Sequence, residues 1–335
     1  MMRLWMIVAA LLGLAVIVYL VIHSGASDVA HAMLLVGWGL VPISLYHFMP
    51  MFLSAVSWRE LLPRSSRLGL GTLTFFRWIR ESVTSLLPVA GVGGDIVGAR
   101  LAHLRGVPGS QAAASMIVDV TVGVASQLTF VAIGVALLLA TRTSGPAIAA
   151  VAWFVLTGLF LFVIAIAIFL RSQHRGMFAG SARLAGALLR NERLSAMAGG
   201  ATAIDDAVVA IYRERSTLYR AGVMRLAGWA AGTGEIWLVM QFLGRPMDVI
   251  DAFILESLGS GVRAVAFMVP GALGALEGSY VVFCALFGLT AETALTISLS
   301  KRVREIGLGV PGLLLWQWVE GRRLLGRRRG SAGST

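Results

Sequence analysis

Charge is scarce in this chain: 13% of its 335 residues are Asp, Glu, Lys or Arg, against 57% hydrophobic ones. A soluble domain carries about a quarter charged residues to cover its surface. The low figure excludes an ordinary water-soluble globule. Cysteine is scarcer still. Cys284 stands alone inside an apolar run, which excludes a disulfide framework or a cysteine metal site within one chain. The five histidines, His23, His31, His47, His103 and His174, are scattered without metal-ligand spacing. No Ser-His-Asp or Cys-His set and no zinc motif can be read. The glycines Gly91, Gly93, Gly94, Gly271, Gly274 and Gly278 form no phosphate loop, because the lysine and hydroxyl of that motif are missing. They suit close helix approach instead. Neither a metal nor a cofactor is expected.

What the chain does have is long apolar runs and a mean hydropathy of +0.82. Six segments are long enough to cross ~30 Å of hydrocarbon at ~1.5 Å per residue. They run roughly over 4–22, 29–53, 111–140, 147–170, 217–243 and 291–318. The first, Leu4 to Ile22 after Arg3 and before Ser24-Gly25-Ala26, has the outline of a signal peptide. Its 19 apolar residues, with another hydrophobic segment directly behind, favour an uncleaved span.

The net charge of +11 fits arginine-rich cytoplasmic loops facing anionic lipid better than it fits a nucleic acid partner. Arginines concentrate in Arg59–Arg80, in 171–220 and in the tail (Arg322, Arg323, Arg327, Arg328, Arg329). The short connections 23–28, 141–146 and 244–247 hold only Arg142 and Arg245. The positive-inside rule then places both termini and the two Arg-rich stretches in the cytoplasm. With the second span ending and the third starting on the cytoplasmic side, the apolar stretch 81–105 has to enter and leave on one side. It is expected to be a re-entrant hairpin turned by Pro88, Gly91, Gly93 and Gly94. The stretch 250–289, with Pro270, Gly271 and Gly274, is expected to dip in from the other side. Broken backbone at membrane depth is tolerated only where protein buries it or water lines it.

The stretch 171–216 mixes charge with Ile204, Val208 and Ile211 at helical spacing. It reads as a cytoplasmic amphipathic insert on the membrane surface. The whole is one membrane domain over 1–320, followed by a basic tail, 321–335, expected to be disordered.

The two hairpins match at an offset of 182 residues: Pro88 with Pro270, Asp95 with Glu277, Gly106 with Gly288, Ala112 with Ala294. Span, span, hairpin, span thus occurs twice with opposite orientation, over about 4–140 and about 147–318. The expected fold is all-α, an inverted repeat of the kind secondary transporters use.

Ionisable groups at membrane depth are costly and mark function. Glu81 opens the first hairpin and Asp95 follows its turn. Asp119 is central in the third span, and Glu235 lies in the fifth. Glu256 and Arg263 are seven residues apart on one face of the second hairpin, and Glu277 follows its turn. The last span holds Lys301, Arg302, Arg304 and Glu305. Asp119 with Lys301, and Glu256 with Arg263, suggest pairs that neutralise each other. Three basic residues within four positions spread over more than one helix face, so some reach a polar cavity or an anionic group. Arginine's planar fork suits phosphate, and lysine adds a point charge.

The segment ESVTSLLPVAGVGGDIVGAR from Glu81 to Arg100, then Gly106-Val107 and Ala112-Ala113-Ala114-Ser115 with Asp119, resembles the flippase-like superfamily. That superfamily includes the transmembrane region of lysylphosphatidylglycerol synthases. Glu256-Ser257-Leu258-Gly259-Ser260, Val269-Pro270-Gly271-Ala272-Leu273-Gly274 with Glu277-Gly278, and Lys301-Arg302-Val303-Arg304-Glu305 bring it nearest to the hopanoid-biosynthesis-associated HpnL branch. The resemblance covers nearly the whole chain. It implies movement of a lipid between leaflets, with membrane lipids and lipid-biosynthesis proteins as partners. It does not imply aminoacyl transfer, since the chain stops at Thr335 without the soluble domain that reaction needs.

Two other readings stay open: a scaffold that transports nothing, and an enzyme. Glu81 to Val89 also resembles the first motif of polyprenyl-diphosphate phosphatases, but Ser85 stands where a second glutamate belongs, and that family's later serines and histidine are absent. On the transport reading, Lys301, Arg302 and Arg304 hold the head group. Glu81, Asp95, Glu256 and Glu277 gate, pair with the basic residues or take up protons.

Overall fold

In the computed structural model, the described residues are 18–23, 26–66, 68–87, 92–141, 146–174, 198–266 and 272–332. Among them every regular element is helical. A long apolar run opens the described chain as three segments: α1 (Ala26–Val36), α2 (Leu40–Tyr46) and α3 (Phe48–Leu61). A 3-10 turn at Gly37–Gly39 separates the first two, and α2 and α3 join at His47, which keeps right-handed helical angles. Then follow α4 (Leu70–Leu86), α5 (Gly93–His103), α6 (Gly109–Thr141) and α7 (Pro146–His174). The second half contains α8 (Ala198–Arg213), α9 (Arg215–Phe242), α10 (Val249–Val265), α11 (Ala275–Ala285) and α12 (Ala291–Ala332).

Among the described residues three stretches are long and apolar enough to cross a bilayer: Ala26–Leu61, Gly109–Thr141 and Ile148–Gln173. Their composition and the exposure of large apolar side chains, Trp153 and Phe154 among them at 72% each, identify an all-α polytopic membrane protein. Helices α9 and α12 have the length for the remaining expected spans but carry charge in mid-helix, so they fall short on apolarity. Residues 4–17 of the first expected span lie outside the described residues. Helix α12 runs on to Ala332, past the boundary at 320, in a segment rich in the helix formers Arg and Leu.

The hairpin arms are clear, although their tips (Pro88, Gly91, Pro270 and Gly271) lie outside the described residues. The first arm begins earlier than expected, at Leu70. Arg77 and Arg80 are therefore part of a packed helix, not of a cytoplasmic loop. Helices α4 and α10 have 17 residues each, and α5 and α11 have 11 each. Gly93 and Ala275, which start α5 and α11, are 182 residues apart, as are Gly109 and Ala291, which start α6 and α12.

Packing follows the same plan. Helix α4 lies against α12 and α5, while α10 lies against α6 and α11, and α3 against α9. The first arm of each hairpin thus packs on the long helix of the other half, and its second arm on the long helix of its own. Gly94 permits the approach of α5 to α4, since a Cβ there would sit 2.3 Å from the Arg80 carbonyl oxygen. Gly274 takes φ +78° to start α11, and its N–H donates to Glu277 Oε2 at 2.8 Å. This satisfies one of the orphan donors of the helix N-terminus.

Two apolar clusters sit on either side of a polar middle. One contains Ile43, Val135, Ile236, Leu255 and Phe283. The other contains Ala55, Trp58, Phe76, Ile79, Leu101 and Met116. His47 lies between Ile43 and Ala55 along the same helical run. Of the expected insert, 175–197 lies outside the described residues. Helix α8 docks Val208, with Ile204 and Ile211, onto Val118 of α6 and Ala221 of α9. Its apolar face covers protein, where a position on the lipid surface had been expected.

Candidate functional site

Five helices bring their charged residues together in the polar middle, and α12 is the hub. Lys301, the chain's single lysine, places Nζ 2.5 Å from Glu256 Oε2 on α10 and 3.9 Å from Glu235 Oε2 on α9. Arg302 Nε donates to Glu277 Oε1 on α11 at 3.0 Å, and its Nη1 reaches Glu305 Oε2 at 3.1 Å. Arg304 Nη1 donates to Glu235 Oε1 at 3.1 Å and also touches His47 Nδ1. Arg263 Nη2 pairs with Glu305 Oε1 at 3.0 Å. The three neighbouring cations of α12 therefore point to three different helices, as helical spacing requires.

His47 had no signal in the sequence beyond being a histidine in an apolar run. Its Nε2 lies 2.6 Å from Glu81 Oε1 on α4, and its Nδ1 lies 2.5 Å from Glu235 Oε1. Glu235 was visible as an intramembrane acid but carried no assigned role. These two complete the site: without them Glu81 and Arg304 have no connection.

Asp95 and Asp119 do not join this group. Asp119, fully buried on α6, faces three arginines. Arg80 Nη1 donates to its Oδ2, Arg77 Nη1 lies 3.6 Å from the same oxygen, and Arg225 Nη1 of α9 lies 3.5 Å from Oδ1. Arg80 Nε donates to Asp95 Oδ1 at 2.5 Å. This second cluster has three cations and two carboxylates. Both expected pairings are thus corrected. Asp119 pairs with arginines and Lys301 with Glu256; Glu256 takes Lys301 and leaves Arg263 to Glu305. The cause is reach: arginines of α4 and α9 extend to Asp119 on α6, and Lys301 of α12 extends to Glu256 on α10.

Buried ions are tolerated when they are paired and hydrogen-bonded. Here the satisfaction is incomplete. Arg304 Nε, Arg302 Nη2, Arg77 Nε and Arg225 Nη1 are buried without a hydrogen-bond partner. Beside Arg304 a narrow cleft, with room for about one water molecule, opens between α4 and α12. His47, Glu81, Ser82, Ser85, Trp78 and Glu305 line it. The cleft therefore presents guanidinium donors, a histidine and carboxylates to the outside. Guanidinium donors of this kind suit an anionic or zwitterionic group, and a histidine is the side chain suited to exchanging a proton. Among the described residues no group of three or more potential ligands is placed to hold a metal ion.

The sequence of this chain matches, over residues 6–310, the family model described as Lysylphosphatidylglycerol synthase TM region. No curated protein matches it, and no solved structure does.

Proposed function

The chain belongs to the lysylphosphatidylglycerol synthase TM-region family, which relates it to membrane lipids, and on that premise we propose that it is a lipid translocase. One observation carries the reading. The buried, partly unsatisfied guanidinium of Arg304 lies beside an open cleft between a hairpin arm and the long helix of the other half. A head group that is anionic or zwitterionic supplies the missing acceptor, and its tails stay in the bilayer. Arginine's fork matches a phosphate. The hopanoid class comes from the sequence resemblance alone.

Alternating access gives the halves a reason to interlock. If the two halves rock against each other, the shared charged layer opens first to one leaflet and then to the other. Matching helix lengths and swapped packing support that plan.

The test is transbilayer movement of a fluorescent phospholipid in reconstituted vesicles, read by quenching of the outer leaflet. The reading expects movement above that of protein-free vesicles and at least about tenfold slower movement in Arg304→Ala, the scale of one lost charged contact. Equal rates in both proteins sink the assignment.

A second reading, hydrolysis of a polyprenyl diphosphate, is favoured by one feature. A histidine, His47, and Ser85 share the cleft with Glu81. Against it, Ser85 Oγ donates to the Glu81 carbonyl at 2.8 Å, and both ring nitrogens of His47 face carboxylates, which leaves no base at the serine. Phosphate release from such a substrate separates the two.

A further inference from the structure

His47 has two ring nitrogens and three partners. Nε2 faces Glu81, and Nδ1 faces both Glu235 and Arg304. A neutral imidazole has one N–H and one lone pair, whereas an imidazolium has two N–H groups. The neutral ring can donate from Nε2 to Glu81 and accept at Nδ1 from Arg304. It then sets a lone pair against the Glu235 oxygen at 2.5 Å. The charged ring donates to both carboxylates, and Nδ1 can no longer accept from Arg304. Both arrangements use the same atoms in the same places.

The surrounding charge leans towards the second arrangement. The groups on the elements packed about His47 are Glu81 on α4, Glu235 on α9, Glu256 and Arg263 on α10, Glu277 on α11, and Lys301, Arg302, Arg304 and Glu305 on α12. That is four cations against five carboxylates, so the cluster carries one negative charge in excess while the ring is neutral. Arg77 lies one turn from Glu81 on α4 and pairs with Asp119 at 3.6 Å, in the neighbouring cluster that holds one positive charge in excess. His47 itself touches two carboxylates and one arginine of this cluster, and its side chain, 13% exposed, lines the cleft through which a proton reaches it.

We propose that His47 is a proton-binding site, and that a proton added at Nδ1 moves this nitrogen's hydrogen bond from Arg304 to Glu235. The proton comes from water in the cleft, occupies the Nδ1 lone pair, and leaves by the reverse path. Arg304, released from the ring, keeps Glu235 Oε1 at 3.1 Å and can turn its remaining donors to Glu305, whose Oε1 is 3.7 Å from Nη2, or to an anionic group in the cleft. Protonation therefore favours head-group binding, and deprotonation favours release. The coupling to lipid movement rests on the translocase reading; the proton site does not.

Two measurements separate them. The first is ¹⁵N-imidazole NMR of the full chain in lipid nanodiscs, with the His47 signal identified by its loss in His47→Gln. That signal should convert between neutral and charged forms as pH is varied across the range in which histidines titrate, about 5 to 8. Its conversion should move in Glu235→Gln, a variant that keeps the histidine. A signal fixed in one form throughout overturns the proposal, whatever the lipid does. The second is phospholipid movement in vesicles under a one-unit pH difference. Coupling of one proton per lipid skews the steady-state leaflet ratio by up to about tenfold. His47→Gln should abolish the skew. Lipid movement that ignores the gradient overturns the coupling but not the translocase. A titrating His47 without any lipid movement supports the proton site and overturns the translocase.

Discussion

Arg77 and Glu256 stand at the eighth position of two 17-residue helices, α4 and α10, and carry opposite charges. Each faces the eleventh residue of its half's long helix: Arg77 faces Asp119, at 3.6 Å, and Glu256 faces Lys301, at 2.5 Å. The same bridge is thus built twice with its signs exchanged. The two clusters consequently lean opposite ways in charge, three cations against two carboxylates around Asp119 and four against five around His47. The internal repeat is preserved in geometry and inverted in electrostatics.

The Glu256–Lys301 pair should behave as a buried couple. Lys301→Met leaves Glu256 without its near cation and should destabilise the protein by about 3–5 kcal/mol, as breaking a buried pair does. Adding Glu256→Gln should return more than half of that loss. Equilibrium unfolding in detergent measures both. Additive losses would show that the two residues act independently.

Asp119→Asn should be among the most damaging single carboxamide substitutions. It strips the nearest counter-charge from Arg77, Arg80 and Arg225 together. Glu60→Gln is the control. Its pair with Arg220, at 2.8 Å, is exposed and should matter by less than about 1 kcal/mol. Comparable shifts in melting temperature would contradict the buried cluster.

Gly94→Ala should separate the first hairpin's arms. The new Cβ would lie 2.3 Å from the Arg80 carbonyl oxygen, and backbone cannot yield as a side chain can. Gly71→Ala meets nothing within 4 Å and should be neutral or gain up to about 1 kcal/mol of helix propensity. Thermal unfolding of the two variants checks this, and equal behaviour would refute the close approach of α4 and α5.

Much of this was legible in the sequence. The apolar runs gave α1–α3, α6 and α7, because lipid leaves little choice but helix. The offset of 182 residues anticipated where α5, α6, α11 and α12 begin relative to one another. Intramembrane acids and bases stood out as expensive. Their partners did not, because a partner is fixed by which helices pack, and the swapped packing of the hairpins carries no local signature. Arg77 and Arg80 looked like loop charges because they follow Arg59, Arg64 and Arg67; only the early start of α4 brings them inside. His47 could not be told from a satisfied core histidine until Glu81 and Glu235 were placed on either side of it.

The central claim is that the cleft between α4 and α12 holds a lipid head group. The most direct measurement is photo-crosslinking in native membranes from a benzoylphenylalanine placed at Ser85, which lines the cleft. The adducts are identified by mass spectrometry, with a probe at Trp153 on the exposed face of α7 as the reference. The account predicts an adduct at Ser85 enriched in one head-group class and lost in Arg304→Ala, against unselective adducts at Trp153. No lipid adduct at Ser85, or the same mixture at both positions, would contradict it.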